Sequence, residues 1–151
     1  MKTINISKPV LVDFMYQCLN RVKYKMGAKA RLGDTPMKDF VYIDCSGFVR
    51  WLLHIASGVR MPDGSYNQRK WCEQQGFAVN PYRKVAGLKD NRLRIAFIDA
   101  SKGKAGHVWL IVNGKTIESY GGHGVGRRRW NSLGLYLKAK YCFTLTDVMA
   151  N

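Results

Sequence analysis

One dipeptide constrains this chain more than any other feature. Asn113-Gly114 separates two short runs, 106–112 and 115–120. Asn-Gly takes the positive φ angles of a type I′ turn, whose twist matches the two strands it joins. A two-residue loop pairs Val112 with Lys115, sets Trp109 opposite Glu118 and sets His107 opposite Tyr120. Strand side chains alternate, so His107, Trp109 and Ile111 share a face with Thr116, Glu118 and Tyr120, while Ser119 points the other way. Glu118 is then a diagonal neighbour of His107, with Cβ atoms roughly 7–8 Å apart.

Upstream, the hydrophobic period is helical. Val10, Phe14, Cys18 and Leu19, extended by Met15 and Val22, predict a helix over residues 10–22, with Pro9 tolerated at its start. Residues 23–43 have no clean period and carry Gly27, Gly33 and Pro36; long connections of this kind are often functional. Asp44 caps a second helix over 45–56, with Phe48, Leu52, Ile55 and Ala56 on its apolar side, closed by Ser57-Gly58. A more polar helix is expected over 65–75, stopping at Gly76, and residues 77–91 read as irregular around Pro81 and Gly87. A strand follows over 93–99, then a small polar loop over 100–105. The glycine-rich stretch 121–126 reads as a loop and 140–146 as a last strand. Helices first and an antiparallel sheet after them make an α+β pattern.

Length and composition fit one domain spanning 1–151. The 151 residues are 46% hydrophobic, with aromatic and branched side chains throughout, which excludes a disordered chain. Lys and Arg number 25 against 10 acidic residues, a formal net charge of +15. Such a charge attracts polyanions: nucleic acid, an anionic membrane or an anionic cell-wall polymer. No run is apolar enough to cross a bilayer, and the first residues lack a signal-peptide core, so the expectation is synthesis in the cytoplasm. The four cysteines, Cys18, Cys45, Cys72 and Cys142, are widely spaced and form no paired zinc motif. Four permits disulfides, but the expectation is reduced thiols, three of them buried.

Cys45 stands apart because it opens a helix. First-turn amides are unpaired and the dipole is positive there, which favours thiolate, the reactive form. Ser46 and Gly47 are small, leaving room for a substrate carbonyl, and the amide of Cys45 or Ser46 can hold an oxyanion. Of three histidines, His107 sits on a strand that can hold a ring rigidly. His54 is about two and a half turns along the Cys45 helix, and His123 lies in the glycine stretch. As orienter of the base, Glu118 comes first, Tyr120 second and His123 third.

These residues carry a resemblance. Asp44-Cys45-Ser46-Gly47-Phe48-Val49 resembles the nucleophile motif of the NlpC/P60 cysteine peptidases. Gly106-His107-Val108, followed by a hydrophobic strand and Asn-Gly, resembles their histidine motif, and Tyr24-Lys25-Met26-Gly27 their upstream Tyr-x-x-Gly element. Two departures stand out. Met26 replaces a tryptophan common in the family, and Glu118 occupies the third catalytic position, usually histidine. The resemblance implies a papain-like α+β fold, N-terminal helices packed on a C-terminal antiparallel sheet. It also implies cleavage of peptide bonds in bacterial peptidoglycan, usually between D-γ-glutamyl and diaminopimelyl residues, with Cys45 as nucleophile and no metal or organic cofactor.

Members of that family act at the wall or in the periplasm, as secreted enzymes, phage proteins or type VI effectors. A toxic member implies an immunity or inhibitor protein as partner. Tyr24, Ser46, Trp109, Tyr120 and His123 are candidate substrate contacts. Arg127, Arg128 and Arg129 are candidates for gripping anionic peptidoglycan or other anionic wall polymers. Two other readings stay open. One is an amidase or acyltransferase of the same fold on another substrate. The other is a nucleic-acid binder, which the dispersed positive charge and the lack of a clustered basic helix face disfavour.

Overall fold

The computed structural model describes residues 2–101 and 105–150. Helix α1 covers Lys8–Cys18, with the Ser7 hydroxyl accepting from the Val10 amide and Pro9 in its first turn. It stops short of the expected end because Asn20 turns left-handed at φ 60°. The next residues then run beside the glycine stretch instead, with Asn20 N–H to Val125 O and Val125 N–H to Val22 O, both 2.9 Å. Val22 is buried by that pairing rather than by a helical face.

Helix α2 (Cys45–Ser57) has Asp44 as its N-cap and Gly58, at φ 76°, as its left-handed C-terminal residue. Helix α3 (Ser65–Gln75) ends at Gly76 in the same way, φ 75°. Both ends follow the residue chemistry that marked them in the sequence.

Residues 77–91 are not irregular. They hold strand β1 (Ala78–Pro81) and the one-turn helix α4 (Tyr82–Val85). β1 is a sheet edge, where proline is allowed and no apolar alternation is needed, so its sequence carries no strand signal. Strands β2 (Arg94–Ile98), β3 (His107–Val112) and β4 (Lys115–Tyr120) match the period. Asn113 and Gly114 turn between β3 and β4 at φ 53° and 79°. Val112↔Lys115, Ile111↔Thr116 and Leu110↔Ile117 give the expected register. Of the expected loop 100–105, residues 102–104 lie outside the described residues.

The glycine stretch contains a strand, β5 (Gly124–Gly126), paired with β4. Its glycines serve close approach. A Cβ on Gly124 would lie 2.4 Å from the Val22 carbonyl oxygen, and one on Gly126 would lie 2.6 Å from His123 Nε2. A short helix α5 (Leu133–Lys138), burying Leu135, precedes β6 (Tyr141–Thr144).

The strands form one antiparallel sheet in the order β1-β6-β2-β3-β4-β5. On one face, Val108, Leu110 and Ile117 pack with Phe48, Leu52 and Leu53 of α2 and with α1. On the other, Trp109, Ile111, Ala96 and Cys142 pack with Tyr82 and Leu135. Burial on both faces is why β2 and β3 read as continuous apolar runs rather than alternating ones. The fold is α+β, helices on an antiparallel sheet.

Candidate functional site

The start of α2 is tied to the preceding connection through one carboxylate. Asp44 Oδ1 accepts the Gly47 N–H at 2.7 Å, and Oδ2 accepts the Gly27 N–H at 3.2 Å. Lys29 Nζ donates to Oδ1 and Oδ2 at 2.8 and 2.7 Å, and to Ser46 Oγ at 2.8 Å. The small residues after Cys45 therefore serve this clamp. A Cβ on Gly47 would fall 2.9 Å from Asp44 Oδ1 and 3.2 Å from the Ala28 carbonyl. Ser46 is buried, its hydroxyl engaged by Lys29 and its carbonyl by the Gln68 amide. What α2 leaves available is backbone: among the described residues, the Cys45 and Ser46 amides have no acceptor.

All four cysteines are free thiols. Cys18, Cys72 and Cys142 are at 0% exposure, while Cys45 keeps 8%. Burial pushes Cys18 and Cys142 up to about 12, and Cys72 up as well, so these three stay protonated and out of reach.

His107 is the first residue of β3, and Cys45 is one of the groups whose influence raises its ring. Its Nε2 lies 2.7 Å from Glu118 Oε1. Glu118 reaches the ring along the diagonal expected from the turn. Burial pushes the ring toward its neutral form, but the bonds to Cys45 and Glu118, and their charges, outweigh it and raise His107 from its ordinary 6.5 to about 9. Glu118 is at 0% exposure. Burial would raise its carboxyl; the bonds from His107 and Arg128 overcome this and hold it below the ordinary carboxylate range.

Arg128 supplies the second cation. Its Nε donates to Glu118 Oε2 at 2.9 Å and its Nη2 to Oε1 at 2.6 Å. Its guanidinium, read in the sequence as a wall-gripping candidate, is thus bound to Glu118 while its side chain keeps 29% exposure. Arg127 is engaged too, its Nε donating to the Thr116 carbonyl at 2.9 Å. Arg129 is exposed.

Trp109 is fully buried and does not line a cleft; it lies beneath the His107 ring, centroids 5.3 Å apart and 23° between planes. Tyr24 is half-buried beside the thiol. Burial raises its phenol, and the Cys45 and Asp44 charges raise it further. Tyr120 and His123 do not meet His107 in hydrogen bonds. They stack on each other at 4.9 Å and 8°, and His123 Nε2 lies 2.9 Å from Asn20 Oδ1. Lys29, Gln68 and the role of Arg128 escape sequence reading, because fold contacts far along the chain create them.

The cluster sits at the end of the sheet where Ile98 pairs with His107. A groove of about 500 Å³ is lined by Ile98 with Phe97, Tyr141, Phe143, Lys140 and Arg69, among others, but not by Cys45, His107 or Glu118. Among the described residues, no three His, Cys, Asp or Glu side chains gather as metal ligands would, and no helix is long and apolar enough to cross a membrane.

No protein-family model matches the chain, and no curated protein matches it. Solved structures do. A lipoprotein-like protein of the NLP/P60 family from Staphylococcus aureus superposes with a TM-score of 0.60 at 16% identity, covering 100% of this chain and 45% of its own. An NlpC/P60 family protein from Bacillus cereus gives 0.63 at 21% identity, over 94% of this chain and 41% of its own. The fold is NlpC/P60-like. The chain spans less than half the length of either structure.

Proposed function

We propose that this chain is a cysteine hydrolase that cleaves peptide bonds in bacterial peptidoglycan, between D-γ-glutamyl and diaminopimelyl residues. One observation carries the reading. On an NlpC/P60-like fold, a cysteine at a helix N-terminus that keeps 8% exposure acts on the ring of a histidine, whose Nε2 is held at 2.7 Å by a buried carboxylate.

The chemistry follows from these groups. The Cys45 thiolate attacks the amide carbonyl, forming a carbon–sulfur bond, while the carbonyl π electrons move to oxygen. The free amides of Cys45 and Ser46 are placed to hold that oxyanion. Collapse breaks the carbon–nitrogen bond, and His107 gives its proton to the departing amine, leaving a thioester. His107, now neutral, takes a proton from water, which attacks the thioester and restores the thiolate and the imidazolium. Glu118 keeps the ring oriented and stabilises its charged form. Tyr24, half-buried and close enough to Cys45 to feel its charge, is the surface for the flanking substrate.

Digestion of purified peptidoglycan, followed by mass analysis of the muropeptides, tests the reading. Wild type should release fragments cut at one peptide bond, and Cys45→Ala should release none while still folding. Cleavage by C45A at the wild-type rate would remove Cys45 as nucleophile; fragments cut at a sugar linkage would remove the substrate bond.

A further inference from the structure

Glu118 lies on β4 between two cations, one from each neighbouring strand. His107 reaches it from β3. On the other side, the β4·β5 ladder continues beyond β5 itself. Glu118 faces Gly126, the Thr116 N–H donates to the Arg128 carbonyl at 2.8 Å, and Lys115 bridges Arg129. The Arg128 N–H also donates to Thr116 Oγ1 at 2.7 Å. Arg128 is therefore a diagonal neighbour of Glu118, as His107 is on the opposite side. Gly126, directly opposite Glu118, has no side chain, and the guanidinium extends past it onto both carboxylate oxygens. The fork is held from behind: its Cζ lies 4.0 Å from the centre of the Tyr120 ring, which stacks on His123.

A carboxylate at 0% exposure needs more than one bond to remain charged and fixed. A histidine alone would share its proton with such a group and leave one oxygen free to swing. Two parallel N–H···O bonds set the carboxylate plane and neutralise it at once, which a lysine's point charge does not do. We infer that Arg128 is a positioning residue of the cysteine–histidine pair: its fork fixes the Glu118 carboxylate so that one oxygen always faces His107. Tyr120 and His123 then act one step further out, as the platform on which Arg128 rests. The inference rests on the proposed thiol mechanism, but not on the identity of the substrate.

The direction of its pH effect follows from charge. The groups facing this relay are Cys45 on α2, Asp44 and Tyr24 ahead of it, Tyr82 on α4, Tyr120 on β4, and His107 and Glu118 themselves. Removing the Arg128 cation raises the proton affinity of the Glu118 carboxylate and weakens its support of the charged His107 ring, so Cys45 is less activated at neutral pH.

Alkylation of Cys45 by iodoacetamide, followed against pH, reads this without any wall substrate. Arg128→Met should slow the reaction at neutral pH about 10-fold and move its acid limb upward by roughly half to one unit. Arg128→Lys, which keeps the charge and loses the fork, should leave the limb in place and still reduce peptidoglycan cleavage about 10-fold. The deciding measurement is a double-mutant cycle for cleavage. Arg128→Met should add less than about twofold to the loss already caused by Glu118→Gln, because Arg128 acts only through that carboxylate. Equal losses in both backgrounds, or an unmoved alkylation profile in a folded R128M, would overturn the inference. If R128M does not fold, R128K and E118Q/R128M, which bury no unpaired carboxylate, carry the same comparison. A wild type that alkylates fast but leaves peptidoglycan intact sinks the substrate reading and leaves this one standing.

Discussion

Two buried carboxylates flank the reactive pair, and each is held by a cation, yet they do opposite work. Asp44 is bound by Lys29 and by the backbone amides of Gly27 and Gly47. It joins a loop to a helix start, and no side chain of the His107 relay touches it. Glu118 bonds Arg128 and His107 and joins nothing but side chains. Backbone-bound, a carboxylate stabilises the chain; ring-bound, it sets the state of a base. The same residue chemistry thus separates into scaffold and mechanism according to what fills its lone pairs.

Substitution should split the two cleanly. Glu118→Gln should lower kcat/KM by about 10²–10⁴-fold, the usual weight of a positioned acid–base system. Its unfolding free energy should fall by less than about 2 kcal/mol, since Arg128 at 29% exposure can turn to water. Steady-state cleavage and urea unfolding on the same preparation check both halves. Asp44→Ala should reverse the pattern, costing about 2–4 kcal/mol through the lost cap and the orphaned Gly27 and Gly47 amides. Cleavage per folded molecule should drop less than about 10-fold. A D44A protein that is stable but inert would place Asp44 in the mechanism and erase the distinction.

The pH dependence of cleavage sharpens the comparison on the Glu118 side. His107 must carry the proton it gives to the leaving amine, and its two acceptors raise it to about 9. Cleavage should therefore persist well above the ordinary histidine range, and kcat/KM should fall only as pH rises through about 9. The linkage to stability has the same sign. A histidine raised on folding contributes stability that is fully present below its unfolded value of 6.5 and is lost as pH rises through about 9. Glu118, held low, contributes stability that is present above the ordinary carboxylate range and lost in acid. An alkaline limb near 6.5 in wild type would mean that Glu118 does not hold the ring.

How far the sequence reaches follows from which contacts are local. The start of α2 was legible because the Asp44 cap, Cys45 and the C-terminal glycine lie within one helix, and Asn113-Gly114 sets a register from which the His107–Glu118 diagonal follows. The same rule would have found Arg128 had residues 124–129 been read as a strand on β4. Glycine hid that strand: Gly124 and Gly126 are there because Val22 and His123 approach too closely for a side chain, yet glycine in sequence signals a loop. Trp109 was open to two readings, substrate cleft or core aromatic, for a related reason. Position on the face shared with His107 does not reveal that Tyr82 and Leu135 cover the rest of that face. Lys29 has no signal at all, since only the folded 23–43 connection brings it to Asp44.

The smallest effect concerns the charge that first suggested a polyanionic partner. Lys29 and Arg128 are both committed to buried carboxylates, and Arg127 to the backbone of β4. Of the three consecutive arginines, Arg129 alone is exposed, and only it can meet a partner without first leaving an internal bond. Arg129→Ala should change unfolding free energy by less than about 0.5 kcal/mol. Any loss of binding to purified walls should be confined to low ionic strength, because charges at an exposed site are screened beyond about 10 Å at 0.1 M salt. Pelleting with wall fragments at low and high salt separates the outcomes. A loss that survives high salt would make Arg129 a specific contact. No loss at low salt would remove Arg129 from wall binding and leave Arg128, bound to Glu118, as the member of the triplet with a part in the proposed site.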